Sequence, residues 1–409
     1  MERSKLNRSF LTLLRLGIGI SKDANIPKDV DWNELKALAD RHGLSAVVLD
    51  GIEVLRTNDN HNLNLPDKIV LTQWIGEVLR SERVYASQQK DAERMAGMFH
   101  KNGICTYVLK GTVIAECYPK PQHRVSVDMD CNLQSSSLEF TDESLESVER
   151  SKSVSENSIP GDVWEKGNRL IEEQGFEVKR DFYKNSTFFL PGLTVENHRY
   201  FTPFRGNGRL KKLERFLQAQ LRVLEGSSVP IGRAESVEFR DSSNSSKCLS
   251  GSRIGDTWLY RPPVMVTALF LIEHAYSHFL HEGLTWRHVL DWMMFSRMHK
   301  DEIDWALLDA KIDEFGFRKF YDTYYRLGRF AIGELKESEL TKNDKRMLED
   351  VWAELDLHDT TEGFKGKLNL VGNTLRAWWK YHFFAEISMI HALWIQAHGV
   401  LFDNNPELR

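Results

Sequence analysis

The hydrophobic and polar positions of this chain change period twice. From Ser4 to about Gly97 apolar residues recur at helical spacing, with Leu6, Phe10, Leu13 and Leu14 on one stripe and Leu35, Leu38 and Ala39 on another. Asp31 stands ahead of Trp32 with Glu34 three residues after it, which predicts a capped helix start, and Gly43 predicts the stop. Ile69 to Met98 predicts one long helix rich in Arg, Glu and Gln. After Gly103 the period shortens. Ile104 to Leu109 predicts a strand, Thr112 to Cys117 a short helix, and Val125 to Leu133 a second strand in which Val125, Val127 and Met129 alternate with polar positions. Val163 to Gln174 predicts an amphipathic helix closing at Gly175. Strands are then predicted at Phe176 to Val178, Ser186 to Leu190 and Leu193 to Phe201, with Pro191-Gly192 as a hairpin turn. Beyond Pro262-Pro263 the helical period returns in Val264 to Leu280, Trp286 to Met298, Trp305 to Phe315 and Leu375 to Phe402.

Two Ser-rich polar stretches interrupt the pattern. Gln134 to Ser158 predicts a flexible surface loop, and Asp241 to Ser252 predicts a boundary. The whole predicts an α+β architecture of two or three domains, as a length of 409 residues allows. An N-terminal helical region covers 1–98, and a small mixed β-sheet core covers 99–225 with an insertion at about 134–160. A linker covers 226–260, and a C-terminal helical domain covers 261–409.

Composition adds limits. Hydrophobic content of 41% and charged content of 28% are ordinary for a soluble globular protein. A net charge of -5 argues against an obligate nucleic-acid binder but leaves room for a local basic patch. The 11 Trp and 22 Phe predict an aromatic-rich core. None of the four cysteines forms a C-x-x-C pair, which argues against a zinc ribbon, and free thiols in predicted core elements fit a reducing cytoplasm. The start of the chain lacks a signal-peptide pattern. The longest nearly apolar run, Val264 to Ile272, falls far short of the ~20 residues a spanning helix needs, so no membrane contact is expected.

The chemistry concentrates around Asp128-Met129-Asp130. Two carboxylates one residue apart on a strand share a face and repel unless a cation lies between them. Mg²⁺ (or Mn²⁺) suits such hard oxygen ligands together with substrate phosphates. Upstream, the strand ending at Leu109 breaks at Lys110-Gly111-Thr112 and resumes as a helix, an arrangement that brings backbone close to phosphate. Lys110 offers a point charge and Thr112 a hydroxyl. Arg124 either forks onto a phosphate or orients Asp128 or Asp130 through a salt bridge. Glu196 shares a strand face with His198 and is the candidate third carboxylate, as metal ligand or as acceptor of a proton. His274 and His278 have the i, i+4 spacing of metal ligands, with Asp291 downstream as a candidate partner; the same spacing suits a helix that packs its histidines against the sheet. Arg205, Arg209, Lys211, Lys212 and Arg215 form a basic cluster that suits either a nucleic-acid backbone or a solvated helix start. Trp378-Trp379, Phe383-Phe384 and Trp394 suit either a membrane-surface helix or buried packing.

Leu109-Lys110-Gly111, Tyr118-Pro119, Arg124 and Asp128-Met129-Asp130 together resemble the uncharacterised nucleotidyltransferase family of bacterial proteins, within the polymerase-β-like superfamily. Leu271 to His274 with His278, and Leu290-Asp291 after Trp286, resemble the helical half of that family, so the likeness runs from about residue 30 to about residue 330 with insertions. The resemblance implies a two-metal site at Asp128 and Asp130, Glu196 as third carboxylate, and an NTP as donor. His198, His274 and His278 are candidate supporting residues. Thr112 stands where Ser commonly follows the glycine, and the Ser-rich insertion lengthens the path to the third carboxylate. The expected activity is metal-dependent transfer of an NMP from an NTP to a hydroxyl, with release of pyrophosphate. The acceptor is left open among tRNA, protein, sugar and small molecule. The alternative is an inactive nucleotide- or partner-binding relative, such as a toxin–antitoxin component.

Overall fold

In a computed structural model of the chain, residues 2–22, 26–57, 65–135, 162–221, 252–281, 283–353, 378–385 and 388–390 are described. Most of both Ser-rich stretches, and most of the helix expected over Leu375 to Phe402 including Trp394, lie outside them. Among the described residues no helix is long and apolar enough to cross a membrane.

Three helices open the chain: α1 (Glu2–Gly17), α2 (Trp32–Arg41) and α3 (Ser45–Thr57). Asp31 caps α2 by accepting from the backbone N–H groups of Asn33 and Glu34, and Gly43 follows its end at φ +65°. Helices α1 and α3 cross with backbone against backbone. A Cβ on Gly17 would stand 1.9 Å from the Val47 carbonyl oxygen, and one on Gly51 2.1 Å from that of Leu13. Only glycine fits at either side of this crossing. The long helix α4 (Lys68–Lys101) is capped by Asp67 and feeds the sheet.

The sheet is made of β1 (Ile104–Val108), β2 (Asp128–Ser135), β3 (Val178–Phe182), β4 (Asn185–Leu190), β5 (Leu193–His198), β6 (Ser252–Arg253) and β7 (Leu259–Arg261), in the order β3-β4-β5-β2-β1-β7-β6. It is mixed, since β2 pairs antiparallel with β1 but parallel with β5, and β1 pairs parallel with β7. All five residues of β1 are buried, as expected of a strand with neighbours on both sides. Residues 252–261, at the end of the stretch read as linker and the first residue beyond it, carry β6 and β7 at one edge of the sheet. Their runs are too short to show an alternation. The short helix α5 (Thr112–Ala115) lies between β1 and β2, and α6 (Val163–Glu173) and α7 (Gly208–Leu221) flank the other half.

Strand β2 begins at Asp128 rather than Val125. Arg124 is drawn away from the ladder by its ion pair, and the Ser126 hydroxyl bonds the Asp128 carbonyl at 2.8 Å, which competes with strand pairing. Val127 accordingly faces solvent. The second half is helical: α8 (Val264–His281), α9 (Trp286–Met298), α10 (Trp305–Phe315), α11 (Arg318–Ala331), α12 (Lys342–Ala353) and α13 (Trp378–Phe384). Of the terminal aromatics, Phe384 is buried against Phe279, and Trp379 also packs on Phe279, so this segment contributes to the core. Cys117 and Cys131 are buried free thiols, as expected of cysteines in core elements, but Cys105, on β1, is disulfide-bonded, against that expectation.

One buried acid in the fold has a measurable signature. Glu214 on α7 accepts hydrogen bonds from the Thr202 backbone N–H and from Gln218 Nε2, both at 2.9 Å. Burial outweighs these bonds and pushes its carboxyl up from 4.5 to about 7. A raised acid binds its proton longer when folded, so its contribution to stability is complete below about pH 4.5 and is lost as pH climbs to about 7. The loss is about 3 kcal/mol, because each tenfold gain in proton affinity is worth ~1.4 kcal/mol. Glu214→Gln keeps the shape without the charge. Urea titrations at pH 4, 6 and 8 should show the variant gaining on the native protein by about this amount between the extremes.

Candidate functional site

The site forms where β2, β5 and the bend after β1 meet. The β2–β5 register places Asp130 directly opposite Glu196 and Asn132 opposite His198. Asp128 and Asp130 therefore share a face with Glu196, and the parallel ladder fixes all three. The Leu109 N–H donates to the Asp130 carbonyl at 2.9 Å, tying the β1 end to the same strand. The chain then turns at Gly111, φ +73°, where a Cβ would lie 3.3 Å from Ser126 Oγ and 3.6 Å from the Asp128 carbonyl oxygen. The bend thus packs beside Ser126 and the Asp128 backbone. Gln89 of α4 donates its amide to Thr112 Oγ1 at 2.9 Å, and Gln88 donates to the Ser126 carbonyl at 3.1 Å. With Tyr85, Gly111 and Asp128 these residues line a shallow recess between α4 and the bend.

Asp130 is the most enclosed of the carboxylates. Lys110 Nζ approaches its Oδ2 at 3.1 Å, and His198 Nε2 approaches its Oδ1 at 3.0 Å. Burial works to raise the Asp130 carboxyl, but Lys110 and the hydrogen bond from His198 outweigh it and hold the group well below the usual carboxylate range. Asp128 moves the other way, raised first by burial and then by the charge of Asp130. The hydrogen bond from His198, 3.5 Å away, lowers Glu196 against the push of burial. Burial and Lys184 act to lower His198, yet its bonds to Asp130 and Glu196 raise it. In this state Lys110 and His198 supply the positive charge that three close carboxylates require.

The donor set suits a hard divalent cation. Ligand atoms of Asp130, Glu196 and His198 lie within 4.8 Å of one another. Asp130 Oδ2 is buried and meets the Lys110 ammonium as an ion pair without a well-aligned hydrogen bond, so a cation can compete for it. Asp128 is adjacent in the same face but is not a member of that close trio.

The structure places Arg124 apart from these oxygens. It is fully buried and forks onto Asp291 of α9, with Nη2 to Oδ2 at 2.6 Å and Nε to Oδ1 at 3.1 Å, while the Tyr118 hydroxyl donates to the same carboxylate at 2.8 Å. Asp291 thus belongs with Arg124 and Tyr118 rather than with the histidines. Arg124 Nη1 also donates to Ser126 Oγ at 3.2 Å, which in turn bonds the Asp128 carbonyl, and the charges of Arg124 and Asp128 attract directly. His274 of α8 lies with its Nε2 2.8 Å from Lys110 Nζ and 3.1 Å from His278 Nε2. His288 of α9 joins them, its ring stacked on that of His278. Sequence spacing did not single out His288, because it sits on a different helix and no period spans the turn between α8 and α9. Within the basic cluster, Arg205 stacks on Tyr183 at 3.9 Å, and Arg209 and Lys212 are exposed at the start of α7.

The site therefore combines a mixed sheet, an acidic pair on a central strand, an in-register carboxylate beside it and a lysine-bearing glycine bend next to it. Residues 28–149 match the family described as uncharacterised nucleotidyltransferase. The matched stretch holds Lys110, Gly111, Asp128 and Asp130 and ends before Glu196. Searches of curated proteins and of solved structures found no match.

Proposed function

We propose that this protein transfers a nucleoside monophosphate from an NTP to a hydroxyl of an acceptor, using Mg²⁺ (or Mn²⁺) held by Asp128, Asp130 and Glu196. The observation that carries the reading is the position of the Asp130 carboxylate, buried between the in-register Glu196 and the Lys110 ammonium of the bend. When bound, the cation neutralises polyphosphate charge and polarises the reacting phosphorus.

The protein's own groups account for the rest. Lys110 has two partners, Asp130 and His274. It can turn its charge from the carboxylate to the polyphosphate while His274 keeps it from withdrawing. Thr112 Oγ1 receives the Gln89 N–H, which leaves its own proton to donate to a phosphate oxygen. His198 steadies Asp130 and Glu196 together. The acceptor oxygen bonds to the α-phosphorus, the bond from that phosphorus to the bridging oxygen breaks, and pyrophosphate leaves with the electron pair. The acceptor's proton passes to a base. Glu196 suits that role as well as ligation, since its side chain is 35% exposed against 2% for Asp130.

Incubation of the full chain with each α-labelled NTP, Mg²⁺ and cell extract tests the reading. One class of molecule, be it RNA, protein, sugar or small metabolite, should acquire label in step with pyrophosphate release, and EDTA should stop both. Mg²⁺-dependent nucleotide binding with no label transferred and no pyrophosphate released after long incubation would instead identify a nucleotide-binding relative without activity.

A further inference from the structure

We propose that His274, His278 and His288 form a second metal site, distinct from the carboxylates and selective for a borderline cation such as Zn²⁺. One ring nitrogen from each of the three histidines lies within 4.8 Å of the others. The Nε2 atoms of His274 and His278 are 3.1 Å apart. Zn–N bonds of about 2.0–2.1 Å in tetrahedral geometry require a nitrogen-to-nitrogen separation of roughly 3.3 Å. The pair is therefore close to the spacing that a shared ion imposes, and the i, i+4 arrangement on α8 maintains it.

The surroundings of the three rings agree. All three rings are only partly covered, so an ion can reach them. His288 Nδ1 lies 3.1 Å from both the backbone N–H and the hydroxyl of Thr285. In the ion-free arrangement it accepts from the N–H. A metal on Nε2 requires the proton on Nδ1, where the Thr285 hydroxyl is placed to accept it while the Thr285 N–H gives up this acceptor. Lys110 holds the His274 lone pair in the ion-free arrangement, but it has Asp130 at 3.1 Å as an alternative partner. Three imidazoles favour Zn²⁺ over Mg²⁺, whereas the carboxylate trio favours the harder ion. Lys110 stands between the two sites and touches a member of each.

The inference does not depend on the transfer reading, and its test reads metal alone. Equilibrium dialysis of the full chain against Zn²⁺ in excess Mg²⁺, followed by metal analysis, should give one Zn²⁺ per chain. The Asp130→Asn/Glu196→Gln variant should retain it. His278→Ala and His288→Ala should each weaken binding about 100-fold or more, because each removes one of only three protein ligands. His281→Ala should not, since its Nδ1 bonds the Ser277 carbonyl on its own helix. Circular dichroism checks folding, and His278→Gln replaces His278→Ala if that variant unfolds. Absence of stoichiometric Zn²⁺, retention of it in both histidine variants, or its loss in the carboxylate variant would each overturn the proposal.

Discussion

Asp130→Asn should reduce nucleotide transfer by about 10³-fold or more, the several kcal/mol of charge stabilisation that a lost metal ligand removes from the transition state. The substitution is close to isosteric and keeps an acceptor for His198. Some stability should be lost with it, because the buried Lys110 loses its anionic partner, offset in part by relief of the repulsion between Asp128 and Asp130. Pyrophosphate release by native and variant protein at saturating Mg²⁺, with melting curves alongside, separates the two effects. A variant with native kcat would remove Asp130 from the chemistry, and with it the reason for assigning Glu196. Asp128→Asn and Glu196→Gln form the natural series. A fall in kcat with little change in KM would mark a group acting on the transition state, and the reverse would mark one that only binds nucleotide.

Asp291→Ala should cost about 3–5 kcal/mol of stability, the usual result of leaving one member of a buried ion pair uncompensated. Arg124 is fully buried and would keep its charge with only Ser126 Oγ among its present side-chain partners, while Tyr118 would lose the acceptor for its hydroxyl. Activity should fall too, because the pair joins α9 to the segment that presents Asp128. The double variant Arg124→Met/Asp291→Leu distinguishes the two consequences. Replacing both partners by apolar groups of similar size is often nearly neutral for stability. Urea titration should therefore show the double variant recovering most of what Asp291→Ala loses, while transfer stays impaired because Ser126 and the bend are no longer held from behind. Full recovery of transfer in the double variant would show that the pair serves folding alone.

Much of this site is legible in sequence because its parts are local. Asp128 and Asp130 announce themselves by spacing, Gly111 by the break between a strand and a short helix, and Glu196 by its alternation with Val195. Their meeting depends on strand register, which hydrophobic alternation constrains strongly. The partner of Arg124 is illegible for a different reason. Asp291 lies on a helix beyond two Ser-rich stretches, and nothing in the local pattern around Arg124 selects one distant carboxylate over the nearer Asp128 and Asp130. The early start expected for β2 fails likewise, since Val125 and Val127 alternate correctly while Ser126 and Arg124 spend their hydrogen bonds elsewhere. Strands β6 and β7 are too short to carry a period, and only their pairing beside β1 reveals them. His288 escapes notice because its neighbours in space, His274 and His278, belong to another helix.

The order of strands has a practical consequence for anyone expressing part of this protein. A fragment bounded by the family match would contain β1 and β2 and both aspartates, yet it would lack β5 on one side and β7 on the other. Two strands that are interior in the complete molecule would become open borders, offering unpaired amides and carbonyls to any passing chain. Such a piece should be recovered in inclusion bodies, and the smallest soluble unit should extend at least through α9, where Asp291 closes on Arg124.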